Sequence, residues 1–436
     1  MSPAGRRPTG GRAVDVIVIG AGHSGLAMSA WLAAHSIEHV VLERGEIANS
    51  WRHERWDSLR LLTPNWLTRL PGYHYQDEEP DGFMSAPDVA QFIARYARFL
   101  GAPVRTGTAV RSVRQHANYF RVLTERRAWR CRAVVMAAGA TGIANLPALA
   151  AGLPAPVRSL SAAEYRNPRQ LDAAGVLVVG ASATGVQLAD ELQASGRQVT
   201  LAVGEHIRLP RTYRGHDIQR WMLAAGILDQ SFDQVDDLVR ARRIPSPQLI
   251  GTPERATLDL NRLRERGVNL VGRLVALDGN QAQFSGTLRN ECAMADLKQA
   301  RLLDTLDALA ERSSIGARLG PAERYAPTRV DDHPRLALDF ARERIGTVIW
   351  ATGYRPDFSW LQVPAFDYKG RLRHQGGIVD VPGLYVLGLN FMRRRKSSFI
   401  HGAEDDVRDL GEHLLAWLRR APIPATLLAQ ATLAGI

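Results

Sequence analysis

The sequence predicts an α/β protein with two Rossmann-like units and a mostly helical insertion. An aliphatic strand, a glycine-rich turn and a helix follow one another over residues 16–34, and the same order recurs over residues 175–195. Apolar stretches that end on glycine return after residue 340, which indicates that the chain goes back to its first unit. Turns of this kind present backbone N–H groups and the positive end of a helix dipole, an arrangement that suits phosphate groups.

The first turn, Gly20-Ala21-Gly22-His23-Ser24-Gly25, has the glycine spacing of a dinucleotide site. Gly20 permits the tight turn, Gly22 lets the backbone approach a pyrophosphate, and Gly25 lets the helix pack against the strand. Glu43 ends the second expected strand 23 positions after Gly20, where a carboxylate can bind ribose hydroxyls. The first unit is therefore predicted to bind a dinucleotide. His23 could face the cofactor or merely fill the space above the pyrophosphate.

The second turn, Gly180-Ala181-Ser182-Ala183-Thr184-Gly185, repeats this spacing with Ser182 in place of the middle glycine. Two such turns in one chain are a more specific signal than either alone. No acid stands at the tip of the following strand, although Glu205 comes just after it and remains a candidate ribose ligand. Guanidinium groups near a displaced acid favour a 2′-phosphate, hence NADPH over NADH. The arginines concerned are Arg208, Arg211 and Arg214, and a surface cluster in an arginine-rich chain is the alternative.

The composition is that of an ordinary globular protein, with 45% hydrophobic and 23% charged residues. The 436 residues include 55 basic and 44 acidic side chains, but only three of the basic ones are lysine, and most are scattered. This excess of arginine is typical of codon bias, so no nucleic acid is predicted as a partner. No apolar run is long enough to span a bilayer, and the predicted location is the cytoplasm.

The chain has only two cysteines, Cys131 and Cys292, which form no CxxC pair and no metal-ligand set. A disulfide reductase needs a vicinal redox pair beside its flavin, so that class is disfavoured. Unpaired cysteines also fit a reducing compartment, and no metal site is predicted.

Three segments are expected. Residues 13–150 form the first part of the domain around the first turn, residues 151–340 the domain around the second turn, and residues 341–436 return to the first domain. Ser85-Ala86-Pro87-Asp88 has the pattern of a capping box and predicts a helix start. Residues 215–330 show mostly helical patterns without a chemical motif. They are interpreted as an insertion that covers the nucleotide domain or shapes a substrate lid.

The order of these motifs, with an Ala351-Thr352-Gly353-Tyr354 turn and a late strand–glycine–helix segment, resembles the class B flavin-dependent monooxygenases. That family includes flavin-containing, plant-type indole-pyruvate and Baeyer–Villiger monooxygenases, and the resemblance covers nearly the whole chain. It implies FAD at the first turn and NADPH at the second. The candidate cofactor-binding residues are Gly20, Gly22, His23, Ser24, Gly25, Glu43, Arg44, Trp51, Arg52, Thr63, Gly180, Ser182, Thr184, Gly185, Arg208, Arg211, Thr352, Gly353 and Asn390.

The resemblance implies an NADPH- and FAD-dependent monooxygenase. A hydride would pass from NADPH to FAD, O2 would be activated as a C4a-(hydro)peroxyflavin, and one oxygen atom would reach a small organic substrate. The protein would position the cofactors and keep water out, so no acid–base pair is required. A homodimer is compatible with this interpretation.

One departure concerns the family's linker signature, Phe-x-Gly-x-x-x-His-x-x-x-aromatic. Aligned on Tyr165, this chain has Ala155, Val157 and Ser161 at the other three positions, so the histidine is missing. An NADPH-dependent flavin reductase or dehydrogenase that passes electrons to another acceptor is therefore the alternative. A third interpretation is a non-catalytic flavoprotein that serves as a sensor or scaffold.

Asn65 and Trp51 are the candidate catalytic residues, because the segments Trp51-Arg52 and Thr63-Pro64-Asn65 look like the family's loop that meets the flavin. Asn65 is expected to hydrogen-bond near flavin C4a or N5. The basic run Arg393–Lys396 is interpreted as a solvated turn, with contact to an NADPH phosphate or an anionic substrate as the alternative. His401 is interpreted as a structural histidine.

Overall fold

The computed structural model describes residues 12–312 and 319–421. In chain order the helices are α1 (His23–Ala34), α2 (Asn49–His53), α3 (Ala86–Phe99), α4 (Ala183–Ala194), α5 (Ile218–Ala224), α6 (Leu238–Ala241), α7 (Leu260–Glu265), α8 (Leu288–Arg312) and α9 (Ala403–Arg420). The strands are β1 (Arg12–Ile19), β2 (His39–Leu42), β3 (Arg69–Leu70), β4 (Tyr73–His74), β5 (Val104–Arg105), β6 (Val110–Gln115), β7 (Phe120–Thr124), β8 (Ala128–Met136), β9 (Ile143–Ala144), β10 (Arg158–Ser161), β11 (Gly175–Val179), β12 (Val199–Ala202), β13 (Ile207–Arg208), β14 (Thr212–Tyr213), β15 (His216–Asp217), β16 (Pro247–Gln248), β17 (Asn269–Val271), β18 (Leu274–Asp278), β19 (Gln281–Phe284), β20 (Ala337–Asp339), β21 (Ile345–Trp350), β22 (Tyr354–Arg355), β23 (His374–Gln375), β24 (Ile378–Val379) and β25 (Leu384–Val386).

The first sheet has a parallel core in the order β25-β8-β1-β2-β5. Residues 16–19 of β1 and 133–136 of β8 are continuously apolar and buried, as expected for strands covered on both faces. The antiparallel strands β23 and β24 extend one edge, and the β6–β7 hairpin pairs with β8. Strand β25 comes from the last quarter of the chain and pairs with β8, so the chain returns to the first sheet near its end.

The second sheet has five parallel strands in the order β10-β21-β11-β12-β17. The two Rossmann-like units predicted from the glycine turns are therefore both present. Strand β21 lies beyond residue 340, so the second sheet extends past the boundary expected there. Residues 422–436 of the last expected segment lie outside the described residues.

The stretch 215–330 is more mixed than its helical patterns indicated. It contains the 25-residue helix α8, but also β17, which is the edge strand of the second sheet next to β12, and the antiparallel pair β18–β19. It is therefore partly an insertion and partly the sheet itself. One apolar cluster joins Ile218, Trp221, Leu249, Leu303 and Leu306 of this stretch to Tyr213 just before it. None of the helices in the described ranges combines the length and apolarity that crossing a bilayer requires.

Candidate functional site

The first glycine turn has the geometry that its spacing predicted. Gly20 has φ of +108°, and a Cβ built there would lie 2.4 Å from the Ala137 carbonyl oxygen. A Cβ at Gly25 would lie 1.9 Å from the Gly20 carbonyl oxygen, so only glycine lets α1 approach the turn this closely. At Gly22, by contrast, an added Cβ meets no atom within 4 Å. Gly22 therefore borders open space at the N-terminus of α1, where a pyrophosphate would bind.

Glu43 is held next to this turn by two hydrogen bonds. The backbone N–H of Ala21 donates to its Oε2 (2.8 Å), and that of Gly45 donates to its Oε1 (3.0 Å). The side chain is only 7% exposed, which fixes the carboxylate at the carboxyl end of β2. This is the position from which a carboxylate can bind a ribose.

A cavity of about 670 Å³ opens along the first turn and continues between the loops that follow β8 and β25 of the first sheet. That volume lies in the range of ligand sites. Nine of the candidate residues line it, together with Arg55, Gln219 and the apolar side chains Leu61, Leu62, Phe399 and Ile400. The candidates in the lining are Gly20, Gly22, His23, Ser24, Glu43, Arg44, Trp51, Thr63 and Asn390.

Two polar atoms at the turn have no partner inside the protein. His23 Nε2 and Ser24 Oγ are both buried without a hydrogen bond. Burial lowers the pKa of His23 to about 4, so the ring is neutral near pH 7 and can donate or accept one hydrogen bond at Nε2. Buried polar groups are normally paired, so these two fit a cofactor that brings polar atoms to the turn. With Glu43 and the open space at Gly22, the residues present fit the adenosine diphosphate part of FAD.

Asn65 does not line this cavity. Its Oδ1 accepts from the Met84 backbone N–H (2.8 Å) and its Nδ2 donates to the Glu79 carbonyl (2.9 Å). The side chain is 3% exposed, and both ends of its amide are used to hold the 79–84 loop. The expected hydrogen bond to the flavin therefore finds no support in this structure. Arg52 also lies outside the cavity lining; it is exposed, and its Nε donates to the Ile47 carbonyl (3.1 Å).

The second turn repeats the first closely. Gly180 also has φ of +108°, with an added Cβ 2.5 Å from the Ala351 carbonyl oxygen, and a Cβ at Gly185 would lie 1.7 Å from the Gly180 carbonyl oxygen. Ser182 occupies the position of Gly22 and precedes α4 without a side-chain cap bond. Thr352 and Gly353 come two and three residues after β21, and a Cβ built at Gly180 would lie 3.7 Å from the Thr352 backbone nitrogen, so Thr352 lies beside this second turn.

Arg208 and Arg211 are both engaged inside the protein, contrary to the expectation that they face a 2′-phosphate. Arg208 is 4% exposed and donates to Asp259 (2.7 Å) and Asp296 (2.8 Å). Arg211 is 1% exposed and donates to Asp217 (2.7 Å) and to the Leu62 carbonyl (2.8 Å). Their charges are matched by buried carboxylates, so they stabilise the packing of the 205–330 region.

The basic run Arg393–Lys396 is not a solvated turn. Arg393 and Arg394 both bind Asp409, at 2.9 and 2.6 Å, and Arg394 also binds Asp406. Lys396 is buried between Asp229 and Asp405. Arg395 donates to Gln230 (2.6 Å), so the run joins the segment around residue 230 to α9. Because these side chains already bind groups inside the protein, the structure gives no support to the alternative, in which they contact a phosphate or an anionic substrate.

His401 is buried, and its Nε2 has no hydrogen-bond partner among the described residues. Burial, helped by the nearby charges of Arg69 and Lys396, lowers its pKa to about 3. The ring is neutral at physiological pH, which suits the structural role expected for it and not that of a proton donor.

Sequence reasoning missed Arg55. It lines the cavity, donates from Nη2 to Thr141 Oγ1 (3.1 Å), and its guanidinium lies 5.3 Å from the centre of the Trp51 ring. It also missed Gln219 and the segment 246–249 in the cavity wall. These residues belong to no motif, and the folding of distant segments alone brings them to the cavity.

Comparisons with known proteins agree with this geometry. Residues 17–222 match the family model described as pyridine nucleotide-disulphide oxidoreductase. The chain is 29% identical over 405 residues to an uncharacterized CzcO-like oxidoreductase of Geobacillus kaustophilus, covering 92% of this chain and 98% of that protein. It is 27% identical to the indole-3-pyruvate monooxygenase YUCCA1 of Oryza sativa subsp. japonica, with coverage of 85% and 86%. The structure of a flavin-containing monooxygenase from Stenotrophomonas maltophilia has the same fold, with a TM-score of 0.64, 21% identity, and coverage of 93% of this chain and 99% of that one.

The chain is therefore a flavin-dependent oxidoreductase with two dinucleotide-binding units, which use FAD and NAD(P)H. Within that class its sequence and fold are similar to those of flavin monooxygenase-like proteins, in line with the order of its motifs.

Proposed function

We propose that the protein is a monooxygenase that takes reducing equivalents from a nicotinamide cofactor in the second unit and uses FAD in the first unit to oxygenate a small organic molecule. Residues 13–150 and the chain after β21 hold FAD, and the second sheet holds the nicotinamide cofactor. Two buried thiols that form no disulfide suit a reducing compartment, so we place this activity in the cytoplasm.

The observation that carries the proposal is the wall that both units share. Ser246, Pro247 and Leu249 line the cavity of the first turn. The residue between them, Gln248, is buried, and its Nε2 donates to the Ala181 carbonyl of the second turn (2.8 Å). The Leu249 carbonyl accepts from Gln187 of α4 (3.0 Å). One short strand therefore contacts the second turn on one side and the cavity on the other, which supports a nicotinamide that reaches the flavin across it.

Bound FAD supplies the redox chemistry, accepting reducing equivalents and activating O2. The chain's own part is to bind, orient and exclude water. Leu61, Leu62, Leu249 and Phe399 give the cavity an apolar lining, and Trp51 lies beside them. Removing water from such a site favours oxygen transfer over loss of the activated oxygen as peroxide.

No proton donor with a pKa near 7 is needed in this scheme, and the two histidines near the cavity do not act as one. Burial lowers the pKa of His23 to about 4 and that of His401 to about 3. Both rings are neutral at pH 7, so they can orient polar groups by hydrogen bonds without protonating them.

A flavin reductase or dehydrogenase is the second candidate, and the linker favours it. At the position of the family's linker histidine, Ser161 donates from Oγ to Glu164 Oε2 (2.7 Å), while Tyr165 is buried and donates to Glu191 (3.1 Å). The electron acceptor would not be a disulfide through the chain's own thiols. Both cysteines are buried and unpaired, and burial raises the pKa of each thiol.

The experiment that separates these functions measures both the reduction of the flavin and the incorporation of oxygen into a product. The FAD-loaded protein is first reduced with NADPH or NADH without oxygen, and the loss of flavin absorbance is recorded. It is then turned over under ¹⁸O2 with a panel of amines, sulfides and ketones. Labelled product supports a monooxygenase. Reduction followed only by H2O2 with every substrate, or by rapid transfer to a quinone, would establish the reductase instead, and no reduction at all would indicate a non-catalytic flavoprotein.

A further inference from the structure

The two units can be aligned residue by residue through their backbone hydrogen bonds. In the first, the Gly20 N–H donates to the Leu42 carbonyl (2.8 Å); in the second, the Gly180 N–H donates to the Ala202 carbonyl (3.0 Å). The residue after Leu42 is Glu43, the ribose carboxylate. The residue after Ala202 is Val203, which is fully buried. The second unit therefore has an apolar side chain where the first has its ribose ligand.

The alignment extends to the third strand of each unit. Leu42 pairs with Arg105 of β5, and Ala202 pairs with Val271 of β17. The Glu43 N–H then donates to the Arg105 carbonyl (3.0 Å), just as the Val203 N–H donates to the Val271 carbonyl (2.9 Å). The loops that follow β5 and β17 are thus equivalent.

In the first unit this loop borders the ribose site. The Thr108 N–H donates to the Glu43 carbonyl (2.7 Å), and residues 108–111 line the same cavity as the Glu43 side chain. The equivalent loop of the second unit begins Gly272-Arg273. Arg273 therefore lies where a side chain can reach the ribose of a dinucleotide bound at the second turn.

The surroundings of Arg273 suit an anion. Its side chain is 62% exposed, and its closest carboxylate oxygen, on Glu291, is 3.9 Å away. A Cβ built at Gly204, directly after Val203, would lie 3.6 Å from Arg273 Nε, so the glycine leaves the guanidinium uncovered. Glu205 is the nearby acid that could serve a ribose diol, and its Oε1 is bound by Lys298 Nζ (3.1 Å).

We propose that Arg273 binds the 2′-phosphate of NADP(H) and makes the second unit prefer it to NAD(H). This inference rests on one part of the proposed function, the binding of a nicotinamide dinucleotide at the second turn. A planar guanidinium can make two charge-assisted hydrogen bonds to a phosphate. A free ribose diol finds Val203 in place of a carboxylate and gains no equivalent contact. Arg208 and Arg211 take no part, because buried aspartates already neutralise them.

The test measures equilibrium binding to the FAD-loaded protein by calorimetry, with NADP⁺, NAD⁺, 2′,5′-ADP and 5′-AMP. The variants are Arg273→Ala, Arg273→Lys, and Arg121→Ala as a control that removes an exposed arginine from β7 of the first sheet. Arg273→Ala should weaken NADP⁺ and 2′,5′-ADP about ten- to a hundredfold and leave NAD⁺ and 5′-AMP within about twofold. Arg273→Lys should recover part of the loss, and Arg121→Ala should change nothing.

Equal weakening of both dinucleotides by Arg273→Ala, or no effect on either, overturns the role of Arg273. So does a native protein that prefers NAD⁺, although such a protein could still be the proposed monooxygenase. A native protein that binds none of the four ligands overturns this inference and the proposed function together.

Discussion

The glycine turns allow the strongest test of how this site is built, because two neighbouring glycines should fail in different ways. At Gly25 an added methyl group would lie 1.9 Å from the Gly20 carbonyl oxygen, about 1.3 Å closer than such carbon–oxygen contacts normally allow. At Gly22 it meets nothing within 4 Å, and the backbone there, with φ of −84°, suits an alanine. Gly25 is therefore required by the fold, whereas Gly22 is required only by the ligand.

Gly25→Ala should therefore destabilise the FAD-free protein by about 1 to 3 kcal/mol, because α1 must move away from the turn. Gly22→Ala should leave the unfolding free energy of that form within about 0.5 kcal/mol. Its methyl group occupies the space of the pyrophosphate, so FAD affinity should fall about ten- to a hundredfold, or about 1.4 to 2.8 kcal/mol.

Stability is measured by urea unfolding of the FAD-free proteins, and affinity by the quenching of flavin fluorescence. Gly185→Ala is the matched variant in the second unit, where the methyl would lie 1.7 Å from the Gly180 carbonyl oxygen. It should weaken nicotinamide binding more than FAD binding. If Gly22→Ala unfolds the protein as readily as Gly25→Ala and binds FAD normally, the assignment of the first turn to FAD is refuted.

Three further predictions concern buried polar groups. Lys396→Met should lower the free energy of urea unfolding by about 1 to 3 kcal/mol. This is less than the loss of a fully buried ion pair, because Asp229 is half exposed and Asp405 keeps Arg408 as a partner at 2.8 Å. The control Lys369→Met, at an exposed lysine, should have no measurable effect. His401 is neutral when folded, with its pKa lowered to about 3, and titrates near 6.5 when unfolded, so its own contribution to stability should fall as the pH drops below 6.5, by about 2 kcal/mol at pH 5. His401→Gln should make the pH profile of stability shallower by about that amount, while His23 and His374, whose pKa values burial also lowers, keep their share, and the exposed His216→Gln should leave the profile unchanged. Asn65→Ala should lower stability by about 1 to 3 kcal/mol with an unchanged rate of flavin reduction; a normal stability with a slower reduction would restore a catalytic role.

Much of the fold could be predicted from the sequence because its signals are local. The strand, the glycine spacing and Glu43 all lie within residues 16–43, and each follows from backbone geometry that only certain residues can adopt. The capping box at Ser85–Asp88 formed for the same reason, and it starts α3. The chain position at which the second unit ends was harder to predict, since β21 pairs with β11 although the two strands are far apart in the chain.

The roles of individual side chains depended on partners that no local pattern shows. Asn65 was predicted from its motif to meet the flavin, yet a loop 14 to 19 residues further on uses its amide. The basic run before α9 was interpreted as solvated, but it meets Asp229 and Gln230 from a different part of the chain. Arg208 likewise pairs with Asp259 and Asp296, at separations of 51 and 88 residues.

The sequence alone determined that this chain has two dinucleotide turns and which glycines form them, because the required conformations are written into neighbouring residues. The tertiary structure decided which arginines are neutralised by buried carboxylates and which, like Arg273, remain exposed beside a turn. Whether a charge is free to bind a ligand depends on the burial and pairing of groups that are distant in sequence, and only the folded chain brings those groups together.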